Sequence, residues 1–146
     1  MSGRTDNNDV FNQSPAYVDV DLFGPDLPLQ TAVAAKGAAG DAVALSAFGR
    51  HWGTAAMFHH ARLANENKPK LQTFDARGFH RDVVEFHPSY HHFMAESIGA
   101  GMTAMMWNAD GKRAEAPAEV ARATRYYMVA QVENGHMWPF STCATW

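Results

Sequence analysis

"DAVALSAFGRHWGTAAMFHHARLAN", residues 41 to 65, decides the fold. The stretch contains no proline, and Asp41 is a good helix N-cap. Leu45, Phe48, Trp52, Ala56, His59 and Leu63 recur at intervals of three and four, the spacing of one apolar stripe on a helix. One long helix is therefore expected from Asp41 to Asn65. Gly49 and Gly53 stand one turn apart on a neighbouring face, and each lowers helix propensity by about 1 kcal/mol relative to alanine. Their missing side chains are expected to admit a second helix at close range.

On the N-terminal side, residues 1–28 read as an irregular arm. The first nine are polar, and Pro15, Pro25, Pro28 and repeated aspartates prevent a long helix. Leu29 to Ala38 can form a short helix, closed by the Gly37 to Gly40 region. On the C-terminal side, "NENKPK" ends the long helix and "LQTFDARGFHRDVVEFH" changes period. Leu71, Thr73 and Asp75 alternate with Gln72 and Phe74, "DARG" is turn chemistry, and "DVVEF" is rich in β-branched residues. A hairpin near residues 71–86 is expected, and a lone two-stranded hairpin needs a helix to lean on.

Pro88 opens the next helix, expected to run to about Trp107, and "NADGKRAEAPAE" is a polar loop. The last helix is expected from about Ala118 to Asn134, with Gly135 in the C′ position. It carries two apolar stripes: Val120, Ala123, Tyr127 and Ala130 on one, Ala121, Thr124, Met128 and Val132 on the other. A helix apolar on two sides is packed on two sides. The fold class is thus mostly α, a helical bundle domain over residues 29–135 with a small β-hairpin.

A chain of 146 residues is enough for one domain and hardly for two, and at 47% apolar it can build a core. The net charge is -3 and no face is obviously basic, which argues against nucleic-acid binding. One cysteine, Cys143, excludes a disulfide within the chain and fits a reducing compartment. "MSGRTDNNDV" has no apolar signal region, and "SIGAGMTAMMWNA" is too short and glycine-rich to span a bilayer. A cytoplasmic protein without membrane contact is expected.

Chemistry is suggested most by "FHPSYHHFM", residues 86 to 94, where His87 and His91 stand four apart. Two imidazoles on one helical turn are half of a metal site. Yet Pro88 disfavours helical backbone at His87, which should be the N-cap or N′ residue with Pro88 at N1. The better helical pair is His92 and Glu96, with no third ligand at a useful spacing. His59, on the apolar stripe, reads as a satisfied core histidine, and His59 and His60 point about 100° apart. Gly99 and Gly101 lack the third glycine and preceding strand of a dinucleotide fingerprint and read as helix packing. Met102, Met105 and Met106 read as core filler, and Cys143 has no basic neighbour to make a thiolate. No catalytic, cofactor-binding or metal-ligating residue is assigned.

Several stretches together carry a resemblance. "VFNQ" at 10 to 13, "GTA" with "RLAN" over 53 to 65, "FDARG" with "DVVEFHPSYH" at 74 to 91, and "VARATRYYMVAQVENG" at 120 to 135 resemble the AidB-type adaptive-response proteins. These form a branch of the acyl-CoA dehydrogenase superfamily. The resemblance covers about Val10 to Trp146 and implies the first part of a three-part flavoprotein. In that family an N-terminal helical domain precedes a β-domain and a C-terminal helical bundle, with FAD between the last two. The family's catalytic carboxylate and DNA-binding surface belong to the C-terminal part, so neither has a counterpart here.

After the "VENG" turn the family usually continues Cys-Pro, two residues, Met-Thr. Here Trp138 replaces the cysteine, Pro139 is retained, and the methionine before Thr142 is missing. Residues 136–146 are thus expected to start a linker to a missing β-domain, in a truncated chain or fragment. The resemblance implies a structural and oligomerisation role, with no cofactor for this chain alone and FAD in the complete protein. The alternatives are a stand-alone helical interaction module and, second, a histidine-based metal-binding protein. If Val120, Ala123, Tyr127 and Ala130 pack on the long helix, Met128, Val132, Met137, Trp138 and Phe140 need a second cover. The remaining β- and C-terminal domains, or self-association through that apolar surface, would supply it.

Overall fold

The computed structural model describes residues 14–104, 107, 110–113 and 115–137. Helix α1 spans Leu27–Ala35, α2 Ala42–Trp52 and α3 Ala55–Glu66. Strands β1, Lys70–Phe74, and β2, His80–Glu85, precede α4, Pro88–Gly99, and α5, Ala116–Val132. Short 3₁₀ turns lie at Ala39–Asp41 and Gly135–Met137. The mostly α architecture with one small hairpin is therefore the observed one.

The single long helix is two helices. Gly53 is the C-cap of α2, its N–H bonded to the Gly49 carbonyl at 2.9 Å. Thr54 then adopts extended backbone and caps α3, its hydroxyl accepting from Met57 N–H. A hydroxyl that satisfies an orphan N–H starts a new helix more readily than it continues an old one. The break shifts the apolar register by one residue. Leu45, Gly49 and Trp52 are buried on α2, but Met57 and Ala61, not Ala56 and His59, are buried on α3. Asp41 occupies the N-cap position of α2 without a side-chain capping bond.

The glycines admit the N-terminal arm, not a helix. A Cβ on Gly53 would lie 2.0 Å from the Val20 carbonyl oxygen, and one on Gly49 would lie 2.9 Å from the Phe23 nitrogen. Val20 N–H donates to Gly53 O at 3.2 Å, and Leu22 and Phe23 enter the core. Asp19, with φ +56°, accepts from Ala55 N–H and so also caps α3. Asp21 accepts from the backbone N–H of Phe23 and Gly24, from the Ser46 hydroxyl, and from Arg50. Burial pushes the Asp21 carboxyl up, but these donors outweigh it and hold it below its ordinary value.

Helix α1 begins at Leu27, inside the stretch read as an irregular arm, with Asp26 accepting from Leu29 N–H. It ends where Gly37 takes φ +86° and Ala38 N–H reaches back to Val33 O. This left-handed closure packs Ala38 against the core beside Val33. Helix α4 closes in the same way, at Gly101 rather than near Trp107. Gly101 has φ +74°, and Met102 N–H donates to Ser97 O. Gly101 thus closes the helix through its backbone, and a Cβ on Gly99 would meet nothing within 4 Å, so Gly99 mediates no close helix packing. Trp107 pairs with Arg113 as an isolated bridge.

Helix α5 packs on α2 and α1. Its buried face is Ala121, Thr124, Met128 and Val132, while Ala123 and Tyr127 of the other stripe are exposed. That reverses the expected assignment. Met128, Val132 and Met137 need no outside cover, because the Gly135–Met137 turn folds back and places His136 and Met137 in the core. Gly135 is not a left-handed C′ residue; its N–H donates to the Glu133 side chain. Met105, Met106, Trp138, Phe140 and Cys143 lie outside the described residues.

Strands β1 and β2 are antiparallel, with Leu71 opposite Val84 and Phe74 opposite His80. Asp75 closes the turn by accepting from the N–H of Arg77 and Phe79, and Gly78 supplies φ +82°. The hairpin leans on no helix to any large extent and both strands are exposed.

Candidate functional site

The histidines of residues 86 to 94 go to three different places. His87 is the N-cap of α4, with its Nδ1 accepting from Ser89 N–H at 3.1 Å. His91 lies edge-on to Phe86 and Tyr90 instead of sharing a site with His87. His92 stacks on His60 of α3 with ring centroids 4.3 Å apart, and His60 Nδ1 meets the Ser89 hydroxyl at 3.0 Å. The expected His92–Glu96 pair is not formed, because Glu96 pairs with His51 Nε2 on α2 at 2.9 Å. These contacts staple α4 to α3 and α2. Among the described residues no three His, Cys, Asp or Glu side chains converge as a metal site would require.

His59 is not the core histidine. It is exposed, its Nδ1 beside an Arg62 nitrogen at 3.1 Å, because the break at Gly53 turns residue 59 out of the core. The core histidine is His136, which sequence reading placed in a linker. Its ring stacks on Trp52 with centroids 6.0 Å apart, and on Phe93 at 5.2 Å. His136 Nε2 lies 2.9 Å from Ser97 Oγ, and His136 Nδ1 lies 2.5 Å from Glu133 Oε2. Glu133 also accepts from the N–H of Gly135 and His136. Burial pushes the Glu133 carboxyl up, but its bonds from His136 and the backbone outweigh that and hold it below its ordinary value. An ionised Glu133 can only accept, so it orients the ring with a proton on Nδ1 and turns Nε2 towards the Ser97 hydroxyl.

Ser97, His136 and Glu133 thus have the order of a nucleophile, a base and an orienting carboxylate. Geometry decides what they can do. Ser97 and His136 are 0% exposed, and none of the described clefts is lined by any of the three. A nucleophile needs room for a reacting atom about 3 Å away. With the His136 ring packed against the stacked pair Trp52 and Phe93, the three residues instead bind the end of α5 to α4. The sequence signal for this was the stretch "ENGH", in which a carboxylate can close on its own turn.

Nearby, α2 and α4 enclose an open cleft of about 410 Å³ lined by Phe48, Trp52, Ala95 and Ala100, with the His51–Glu96 pair and Gly99 at its rim. Arg125 of α5 lies over the Phe48 ring, its guanidinium carbon 5.7 Å from the ring centroid. Arg122, also on α5 and buried, donates from Nε to the Met102 carbonyl at 2.9 Å. A flavin would need a flat slot with several donors for its pyrophosphate. The described clefts are open, and none gathers two guanidinium groups. The described residues do not by themselves fit a flavin.

Residues 12–145 match the family model of the adaptive response protein AidB N-terminal domain. The chain belongs to this family. It is also 37% identical over 132 residues to the putative acyl-CoA dehydrogenase AidB of Escherichia coli K12. That match covers 90% of this chain and 24% of the relative, so the AidB N-terminal-type chain spans about a quarter of the length of the curated relative it matches. Among the described residues no helix is long and apolar enough to cross a membrane.

Proposed function

We propose that this chain is the structural N-terminal helical domain of an FAD-dependent, acyl-CoA dehydrogenase-like protein of the adaptive response. It is not catalytic alone. It walls the acyl side of a site completed by the β- and C-terminal domains, and it supports oligomerisation in the cytoplasm. The observation that carries this reading is the match of nearly all of this chain to one quarter of a putative acyl-CoA dehydrogenase. The sealed Ser97–His136–Glu133 group supports it, because the most reactive arrangement among the described residues is committed to packing. The exposed hairpin favours a second reading, a helical interaction module.

Co-expression with the remaining three-quarters of the E. coli relative tests the proposal. The expected result is a stable complex that binds flavin in stoichiometric amount and bleaches with an acyl-CoA thioester. The purified chain alone is expected to be colourless. A yellow chain without the other domains, or no association with them under any condition, overturns the reading.

A further inference from the structure

Asn134–Gly135 is the one Asn-Gly pair in the sequence, and it lies on the turn that closes the core. In such a pair the following backbone nitrogen reaches the asparagine side chain most easily, because glycine has no Cβ to crowd the approach. Both residues are exposed, whereas His136 and Met137 beside them are buried. The turn itself favours glycine there. A Cβ at residue 135 would lie 2.8 Å from Glu133 Oε1, the oxygen that accepts the Gly135 N–H at 2.6 Å. Glu133 Oε2 accepts the His136 N–H at 3.0 Å, and Asn134 O accepts the Met137 N–H at 3.2 Å. The carboxylate that fixes the turn therefore comes with a chemically labile pair on its solvent side.

We propose that Asn134–Gly135 is a self-modification site, closed while Glu133 clamps the Gly135 N–H and opened to isoaspartate formation when the turn loosens. The Gly135 nitrogen loses its proton and attacks Asn134 Cγ. The Cγ–Nδ2 bond breaks, and the amide nitrogen takes a proton and leaves as ammonia. Water then opens the succinimide ring at either carbonyl, giving aspartate or isoaspartate, with nothing oxidised or reduced. The clamp opposes the first step twice. It fixes the peptide plane that has to rotate, and it sets an anionic carboxylate beside the nitrogen that has to become anionic. Once formed, isoaspartate acts as a latch. The backbone runs through the former side chain and is one carbon longer, and the carbonyl that accepted the Met137 N–H becomes a free carboxylate. The His136 ring then no longer returns to its place on Trp52 and Phe93. This inference is independent of the flavin reading.

Incubating the full chain in mildly alkaline buffer, with and without denaturing urea, tests it. Peptide mass mapping reads the amide-to-acid mass gain at residue 134, and a protein isoaspartyl methyltransferase reads the isoaspartate. Exposed Asn67, followed by Lys68, is the internal reference. In urea, residue 134 should react faster than Asn67. In the folded chain it should react at least about tenfold more slowly than in urea, as modification through an opened state requires. Glu133→Gln removes the charge from the clamp and should raise the folded rate at least about threefold. Low urea, below the unfolding transition, should accelerate the parent too, which keeps the test decisive if the variant fails to fold. The isolated isoaspartate form should unfold at lower urea than the parent. No excess reaction at residue 134 in urea, or a folded rate equal to that in urea, overturns the inference. So does a folded rate indifferent to Glu133→Gln or to low urea, or an isoaspartate form as stable as the parent.

Discussion

Replacing Gly53 with alanine is expected to destabilise the chain, although its backbone suits alanine. Gly53 has φ -78° and ψ 4°, so narrowing the unfolded ensemble would by itself stabilise by about 0.4–1 kcal/mol. The added Cβ would lie 2.0 Å from the Val20 carbonyl oxygen and 3.0 Å from the Val20 carbonyl carbon. Both are backbone atoms, so no rotamer change relieves the clash. Shifting the arm gives up the Val20 N–H bond to Gly53 O, worth about 1 kcal/mol. It also loosens the Asp19 cap on α3, worth roughly 0.5–2 kcal/mol. Part of the burial of Leu22 and Phe23, about 1.5–3 kcal/mol each when complete, goes with them. The net expectation is a loss of about 2–4 kcal/mol. Urea unfolding followed by circular dichroism measures it. Gly99→Ala is the control: nothing lies within 4 Å of its Cβ, and it should stabilise by about 0.5 kcal/mol. A Gly53→Ala chain as stable as the parent means the arm is not seated on α2 as described.

His136→Ala removes a buried ring stacked on both Trp52 and Phe93 and should cost about 3–5 kcal/mol in the same titration, while Ser97→Ala should cost about 1 kcal/mol. His87→Ala should cost about 1 kcal/mol through the lost cap of α4, read as a lower unfolding midpoint. Glu133 and Asp21 have folded pKa values below their ordinary ones, so the unfolded chain takes up protons first as pH falls. Stability from both is complete above the carboxylate range, beginning at about pH 5, and declines as pH falls through it towards the folded values. Glu133→Gln should flatten that decline, and an equally steep acid limb in the variant would remove Glu133 as a cause.

Sequence periodicity located α1, α4, α5 and the hairpin because each carries its own local signal, but it ran α2 and α3 together. Pro88 with His87 fixed the start of α4, and "DARG" fixed the hairpin turn. Periodicity failed where a tertiary contact outweighed a continuous stripe. The pair Gly53 and Thr54 is a C-cap followed by an N-cap, a legible break hidden by apolar residues that recur on both sides of it. The buried histidine was misplaced for the same reason. His59 carried the right spacing but the wrong phase after the break, and His136 lay in a polar turn whose burial depends on Trp52 and Phe93. Asp21 could not be recognised as a hub, since its donors come from α2 as well as from its own loop.

The position of His136 also sets a timetable for a chain made on a ribosome. Helices α1 to α4 emerge first, with Trp52 and Phe93 available to stack on each other but without the His136 ring that packs on both. Because the last layer of the core arrives with the Gly135–Met137 turn, cooperative closure waits until that turn leaves the exit tunnel. Until then the nascent helices carry an uncovered pair of stacked aromatic rings that a holding chaperone can occupy. Pausing translation after α4 should therefore lengthen chaperone engagement far more than pausing after Met137.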